Sequence, residues 1–230
     1  MAGARDAVIV GGGHNGLVAA AYLARSGLDT LVCERRDVVG GAAVSEHPFG
    51  LEYTVTSLSY VVSLLSPGLV RDLGLASFGY HVYPQGPYFA PRADHPDANA
   101  LAAYADRMIA RMETVAPGFT NSVLHRQVIG PHQMQQEYGL IGGNIFHGEL
   151  SLGQMFHARP AAGYADFRTP VRGLYQAGSA THGGGGVTGI PGRNAVRQIL
   201  ADRRVARWRQ RATPRLTTTA QAPPRGQDRK

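Results

Sequence analysis

One cysteine, Cys33, stands among 230 residues, which excludes an internal disulfide, a CxxC redox pair and any zinc site built on several thiolates. No stretch approaches the roughly 18 consecutive apolar residues of a membrane span. The opening MAGARDAVIVGGG lacks the charged start and sustained apolar run of a signal peptide. The expectation is a soluble, cytoplasmic chain without a transmembrane segment. Charge is sparse outside the C-terminal end: residues 203 to 230 hold nine basic residues and one acid, whereas the preceding 202 carry 14 basic and 15 acidic. The net charge of +7 therefore belongs to the tail, and the near-neutral body argues against a nucleic-acid-binding surface. The arginine-rich RRVARWRQR reads as a solvated helix end. No GxSxG elbow accompanies Ser179 and His182, so a hydrolase is not expected. His147 and His157 lack a carboxylate at ligand spacing, so no metal site is expected either.

Glycine, by contrast, is abundant. Thirty glycines are about twice average usage, and they fall in clusters rather than in a collagen-like repeat. Such clusters mark places where the backbone turns sharply or must lie against something.

The first cluster has a mechanical context. Residues 7 to 10 form a short apolar run expected as a buried parallel strand, and glycines 11 to 13 end it. Residues 15 to 26, rich in alanine, predict a helix with Gly27 just past its end. Residues 30 to 33 predict a second buried strand, which would make Cys33 inert core. Strand, helix and strand within about 30 residues match one βαβ unit. Gly11-x-Gly13-x-x-Gly16 sits at the turn: the first glycine permits the turn, the second lets backbone approach a pyrophosphate, and the third lets helix and strand pack closely. Free N–H groups at the helix start face the phosphates. Glu34 follows Gly16 by 18 residues, where an acid accepts hydrogen bonds from the adenosine ribose hydroxyls and disfavours a 2′-phosphate. The fingerprint alone leaves FAD and NAD both open. His14 and Asn15, inside the motif, either satisfy backbone groups at the helix start or touch the ligand.

Further along, residues 49 to 75 suggest a strand and a short helix, and the proline-rich residues 84 to 97 a connector. Leu101, Tyr104, Met108, Met112 and Val115 form a helical stripe ended by Pro117 and Gly118. A second glycine cluster then repeats the logic of the first. Residues 174 to 177 predict a strand running into Gly178, Ser179 and His182, then glycines 183 to 186, then a helix over residues 194 to 207. Backbone of that kind can lie flat on a planar ligand, and a helix N-terminus faces developing negative charge. The tail beyond Arg211 is expected to be disordered.

The two segments VIVGGGHNGLVAAAYLARSGLDTLVCERRDVVGGAAVSE and AGSATHGGGGVTGIPGRNAVRQIL resemble the two ends of FAD-dependent phytoene dehydrogenases and carotenoid desaturases. Within that class the GGGHNGL and THxGGGV…GRNA patterns are most similar to the pyridine nucleotide-disulfide oxidoreductase domain-containing protein 2 subgroup. The resemblance implies an α/β, Rossmann-like FAD-binding fold with a parallel sheet, internally truncated. Its parts are a dinucleotide-binding half over residues 1–92, a C-terminal part with a helix and the flavin motif over 93–202, and a basic tail over 203–230. It implies FAD as cofactor, held by Gly11, Gly13, His14, Asn15, Gly16, Glu34 and Arg35. Gly40 and Gly41 would lie near the pyrophosphate or flavin, and Gly178, Ser179, His182, Gly184, Gly185 and Val187 beside the ribityl chain and isoalloxazine. Many relatives carry Asp where Ser179 stands. The lone Cys33 means no redox disulfide operates here, whatever the subgroup's name. Eukaryotic members of the subgroup are mitochondrial matrix proteins. The implied reaction is hydride transfer from a C–H bond of an unidentified small molecule to FAD. Against it stand a non-catalytic remnant that binds a dinucleotide or serves as an interaction module, and an NAD-binding module without flavin. A protein partner or a second copy of the chain remains open.

Overall fold

The computed structural model describes residues 4–59, 62–83, 98–148 and 150–212. The proline-rich connector, and with it the boundary expected at residue 92, lies outside the described residues, as does the tail from 213.

The first βαβ unit forms as the sequence predicts. Strands β1 (Ala7–Val10) and β2 (Thr30–Cys33) pair in parallel, with Ala7 opposite Thr30 and Val10 opposite Cys33. Helix α1 (His14–Arg25) crosses between them and Gly27 follows it at φ 77. Alternate residues of the strands face the helices, and Ala7 and Ile9 pack on a core of Ala19, Leu23 and Val196.

Among the described residues nothing covers the other face of this sheet. Val10 is 90% exposed and Val8 57%, with Leu31 and Cys33 also exposed. The expectation of strands buried on both sides, and of Cys33 as core, is thus corrected. A parallel sheet is buried only when layers cover both faces, and among the described residues only one face is covered.

The layer that covers it comes from the far end of the chain. Helix α6 (Ile190–Ala212) packs along α1, starting four residues earlier than its sequence pattern suggests because Pro191 fits a first helical turn. A side chain at Gly192 would run into the carbonyl oxygen of Asn15, so this glycine permits the close crossing. Arg203 on α6 pairs with Asp6 before β1 at 3.1 Å.

Between these ends lie smaller elements. β3 (Ser45–Glu46) and β4 (Val55–Thr56) form an antiparallel pair. Helix α2 (Pro67–Leu73) buries Leu69 completely and reaches α1 through a 3.0 Å hydrogen bond from Tyr22 to Asp72. Helix α3 (Ala98–Glu113) ends where Glu113 accepts hydrogen bonds from the backbone of Gly118 and Thr120. Short helices α4 (Phe119–Ser122) and α5 (Pro131–Tyr138) follow.

The strand expected at residues 174 to 177 does not form. Only an isolated antiparallel bridge joins Tyr175 to Arg168, while Ala177 packs against the core. A strand needs a neighbour for its backbone groups, and the described chain offers this segment only the hairpin from Arg168. Among the described residues no helix is long and apolar enough to cross a membrane.

Candidate functional site

The first glycine motif has the geometry its spacing requires. Gly11 adopts φ 99 at the end of β1. A side chain on Gly16 would strike the Gly11 carbonyl, so the third glycine is needed for helix and strand to meet. Gly13 caps α1 with extended backbone and no side chain bonds the helix start, which leaves first-turn N–H groups with their dipole directed outward. A Cβ on Gly13 would meet only the Cα of Gly41, at 3.9 Å.

Glu34 leaves β2 and turns back onto this loop. Its carboxylate accepts hydrogen bonds from the backbone N–H groups of Gly12 at 2.6 Å, Arg35 at 2.7 Å and Arg36 at 2.9 Å. The Arg36 and Gly12 bonds hold its pKa below the usual carboxylate value. Arg35 joins the site through that N–H and through its charge, while its guanidinium extends toward Gly139.

Gly40 and Gly41 lie against the same loop. The N–H of Gly40 donates to the Gly12 carbonyl at 2.8 Å, and Gly13 and Gly40 form a parallel bridge. Arg36, which the sequence reading passed over, secures the turn. It donates to the Gly41 carbonyl, pairs with Glu46 at 2.6 Å and lies over the Tyr138 ring at 5.3 Å. Tyr138 and Ser57 also donate to Glu46.

The second glycine cluster, 164 residues away, meets the first directly. Asn15 Nδ2 donates to Ser179 Oγ at 2.8 Å, in a buried bond. His14 lies beside the backbone of Gly186, and burial together with the nearby His147 lowers its pKa from 6.5 to about 4. The imidazole is therefore neutral at neutral pH. Asn15 Oδ1 and His14 Nε2 are buried with no hydrogen-bond partner among the described residues.

The turn after Ser179 is built for close approach. A Cβ on Gly184 would collide with the Ser179 carbonyl, and one on Gly185 would press on Phe146. A Cβ on Gly178 would meet nothing within 4 Å, so this backbone faces open space. His182 is half-buried, its ring 6.1 Å from that of Phe156, and Val187 is half-buried behind the turn.

The sequence reading also missed Arg159. Only 3% exposed, it donates to the carbonyls of Phe146 at 2.7 Å and Ser179 at 3.1 Å. It stands in an irregular stretch of short turns, where no periodicity or motif singles out one arginine.

This donor set fits a dinucleotide that carries a second ring system. The open backbone at Gly13 and Gly178 leaves the room that side chains would fill, and the unused acceptors on Asn15 and His14 suit a ligand rich in hydroxyl groups. Among the described residues no cluster of three or more His, Cys, Asp or Glu is arranged to hold a metal.

Comparison with known proteins agrees with this geometry. Residues 9–68 match the family of NAD(P)-binding Rossmann-like domains. Pyridine nucleotide-disulfide oxidoreductase domain-containing protein 2 of Rattus norvegicus is 42% identical over 135 residues, which cover 57% of this chain and 23% of that protein. The Mus musculus counterpart is 48% identical over 99 residues, covering 43% and 17% respectively. The chain thus matches less than a quarter of the length of these curated relatives. A solved structure of a putrescine oxidase with redesigned cofactor binding is 27% identical and covers 49% of this chain and 27% of its own. Its TM-score is 0.26, and the superposition carries no weight. The N-terminal unit is a Rossmann-like, dinucleotide-binding fold.

Proposed function

We propose that the chain binds FAD across its two glycine turns and belongs to an FAD-dependent oxidoreductase of the phytoene-dehydrogenase-like kind. The observation that carries this reading is the Asn15–Ser179 hydrogen bond, which joins the turns into one cradle. A dinucleotide held by the first motif alone needs no second open backbone beside it. A ligand with a long polyol and a planar ring uses both.

In this reading the N-terminus of α1, with Gly11, Gly13 and Gly16, holds the pyrophosphate, and the Glu34 carboxylate orients the adenosine ribose. Gly40 and Gly41 press on the same side. Gly178, Ser179, His182, Gly184, Gly185 and Val187 flank the polyol and ring. When bound, FAD supplies a two-electron acceptor for hydride from a C–H bond. The chain's own residues bind and orient, and neutral His14 adds an acceptor without charge.

Titration of the purified chain with FAD, NADH and NADPH tests the reading. The expected result is flavin capture, seen as quenched fluorescence and a yellow protein after desalting. Colourless protein that takes up no added FAD would retire it, and tight NADH binding without flavin would favour the NAD module.

A second reading, a nucleotide-binding module without turnover, is favoured by the sheet face of Val8, Val10 and Leu31, which no described residue covers. Hydride transfer needs a substrate held at near-contact distance away from water, and an uncovered sheet does not exclude water. Flavin capture without photochemical or chemical reduction by any C–H donor would support it.

A further inference from the structure

Residues 141–148 and 150–159 hold short 3₁₀ turns at Ile141–Gly143, Leu152–Gln154 and Phe156–Ala158, and among the described residues no strand ladder anchors them. Yet this stretch packs on the second glycine turn, since Phe146 and Leu150 lie against the position of a Gly185 side chain. A buried guanidinium takes the place of the missing ladder. Arg159 Nη2 bonds the Phe146 carbonyl on one side and the Ser179 carbonyl on the other. Ser179 is thereby gripped at both ends, its hydroxyl by Asn15 and its carbonyl by Arg159. That same carbonyl is the one a side chain on Gly184 would strike, so its direction sets how closely the glycine run can fold behind it.

We infer that Arg159 is a positioning residue for FAD: by fixing the Ser179 carbonyl it sets the second glycine turn against α1 at the separation the flavin half requires. This rests on the function proposed above and deepens it. A guanidinium offers five donors in a rigid fork, and charge-assisted bonds from it are strong and directional. Both bonds leave one nitrogen, Nη2, so a lysine ammonium keeps the charge and enough donors but lacks the planar, rigid mount that fixes their direction.

The experiment compares wild type, Arg159→Lys and Arg159→Met by fluorescence titration with FAD and calorimetric titration with ADP. ADP reports the Gly11–Glu34 half, whereas the Arg159 bonds to Phe146 and Ser179 lie on the second glycine turn. The expected result for Arg159→Met is FAD affinity weakened about tenfold to a hundredfold, the range for losing charge-assisted hydrogen bonds, with ADP affinity unchanged. The visible band of the flavin that still binds is expected to resemble free flavin, and Arg159→Lys to restore part of the affinity. Wild-type FAD affinity and spectrum in Arg159→Met would overturn the positioning role and leave the FAD reading intact. Parallel loss of FAD and ADP would overturn it as well, by showing a general scaffold residue. A wild-type chain that binds ADP but no FAD would overturn the FAD reading, and the positioning role with it.

Discussion

Asn15, in the first turn of α1, and Ser179, in the loop leading to α6, share a buried 2.8 Å hydrogen bond across 164 residues of chain. Two segments with no local connection are brought to one point by α1 and α6 packing side by side. If that bond couples the two turns, Asn15→Ala and Ser179→Ala must be non-additive. The expected coupling in a double-mutant cycle is about 0.5–1.5 kcal/mol, the net contribution of one buried neutral hydrogen bond. Urea unfolding of the four proteins measures it, and additive effects would separate the turns.

The close crossing of α1 and α6 depends on a glycine. In Gly192→Ala the new methyl meets the Asn15 carbonyl, so the helices must part. The expected destabilisation is about 1–3 kcal/mol, as for overpacked interiors. FAD affinity should fall with it, because the Asn15–Ser179 contact opens. A variant as stable as wild type would show that the helices do not cross at this residue.

Glu34 is expected to orient the ribose of the cofactor. Glu34→Ala and Glu34→Gln should both weaken FAD and ADP binding, with Glu34→Gln the milder because it keeps the acceptor for the Gly12 N–H. The carboxyl also has a depressed pKa, owing to the Arg36 and Gly12 N–H groups. A depressed carboxylate stabilises the fold above its unfolded pKa, and the stabilisation is lost as pH falls through the folded value. The loss therefore lies below 4.5, and the acid limb of thermal unfolding should be shallower in Glu34→Gln. Unchanged FAD affinity in Glu34→Ala would end the ribose assignment.

His14 acts in a higher pH window. Its pKa drops from 6.5 to about 4, burial being the main cause and His147 the second. Between those values the unfolded chain binds a proton that the folded chain refuses, so stability falls as pH decreases from 6.5 toward about 4. His14→Gln should remove that part of the pH dependence while leaving stability at neutral pH less affected. Urea midpoints across this range check it, and an unaltered slope in the variant would place the titration elsewhere.

Cys33 lies on the bare outer face of the sheet. A thiol reagent such as dithionitrobenzoate should therefore modify it fully in the native protein, without denaturant. Protection at high protein concentration that disappears on dilution would mean that copies of the chain cover this face. Protection at every concentration would contradict the exposed position.

The βαβ unit was legible because everything that defines it is local. Ala7–Val10 and Thr30–Cys33 appear at their expected bounds, and Gly11, Gly16 and Glu34 sit at fixed offsets from them. Steric rules for a tight turn and for helix–strand contact act over a few residues, and spacing records them. Residues 174 to 177 carried the same apolar signal and failed to become a strand. Among the described residues they meet only the hairpin from Arg168, and a short apolar run does not encode who lies beside it.

The sequence alone therefore determined the first turn and helix of the dinucleotide fold, the place of Glu34 at the end of the second strand, and the existence of a second glycine turn. Only the tertiary structure decided that the two turns touch, that Arg159 and Arg36 support them, and that Val8, Val10 and Cys33 face outward. The physical reason is one of range. Turn geometry and helix capping are short-range and depend on residue type, whereas burial and long-range hydrogen bonding depend on which surfaces the rest of the chain can supply. At Ser179 it supplied Asn15 and Arg159, and over the outer face of β1 the described residues supply nothing.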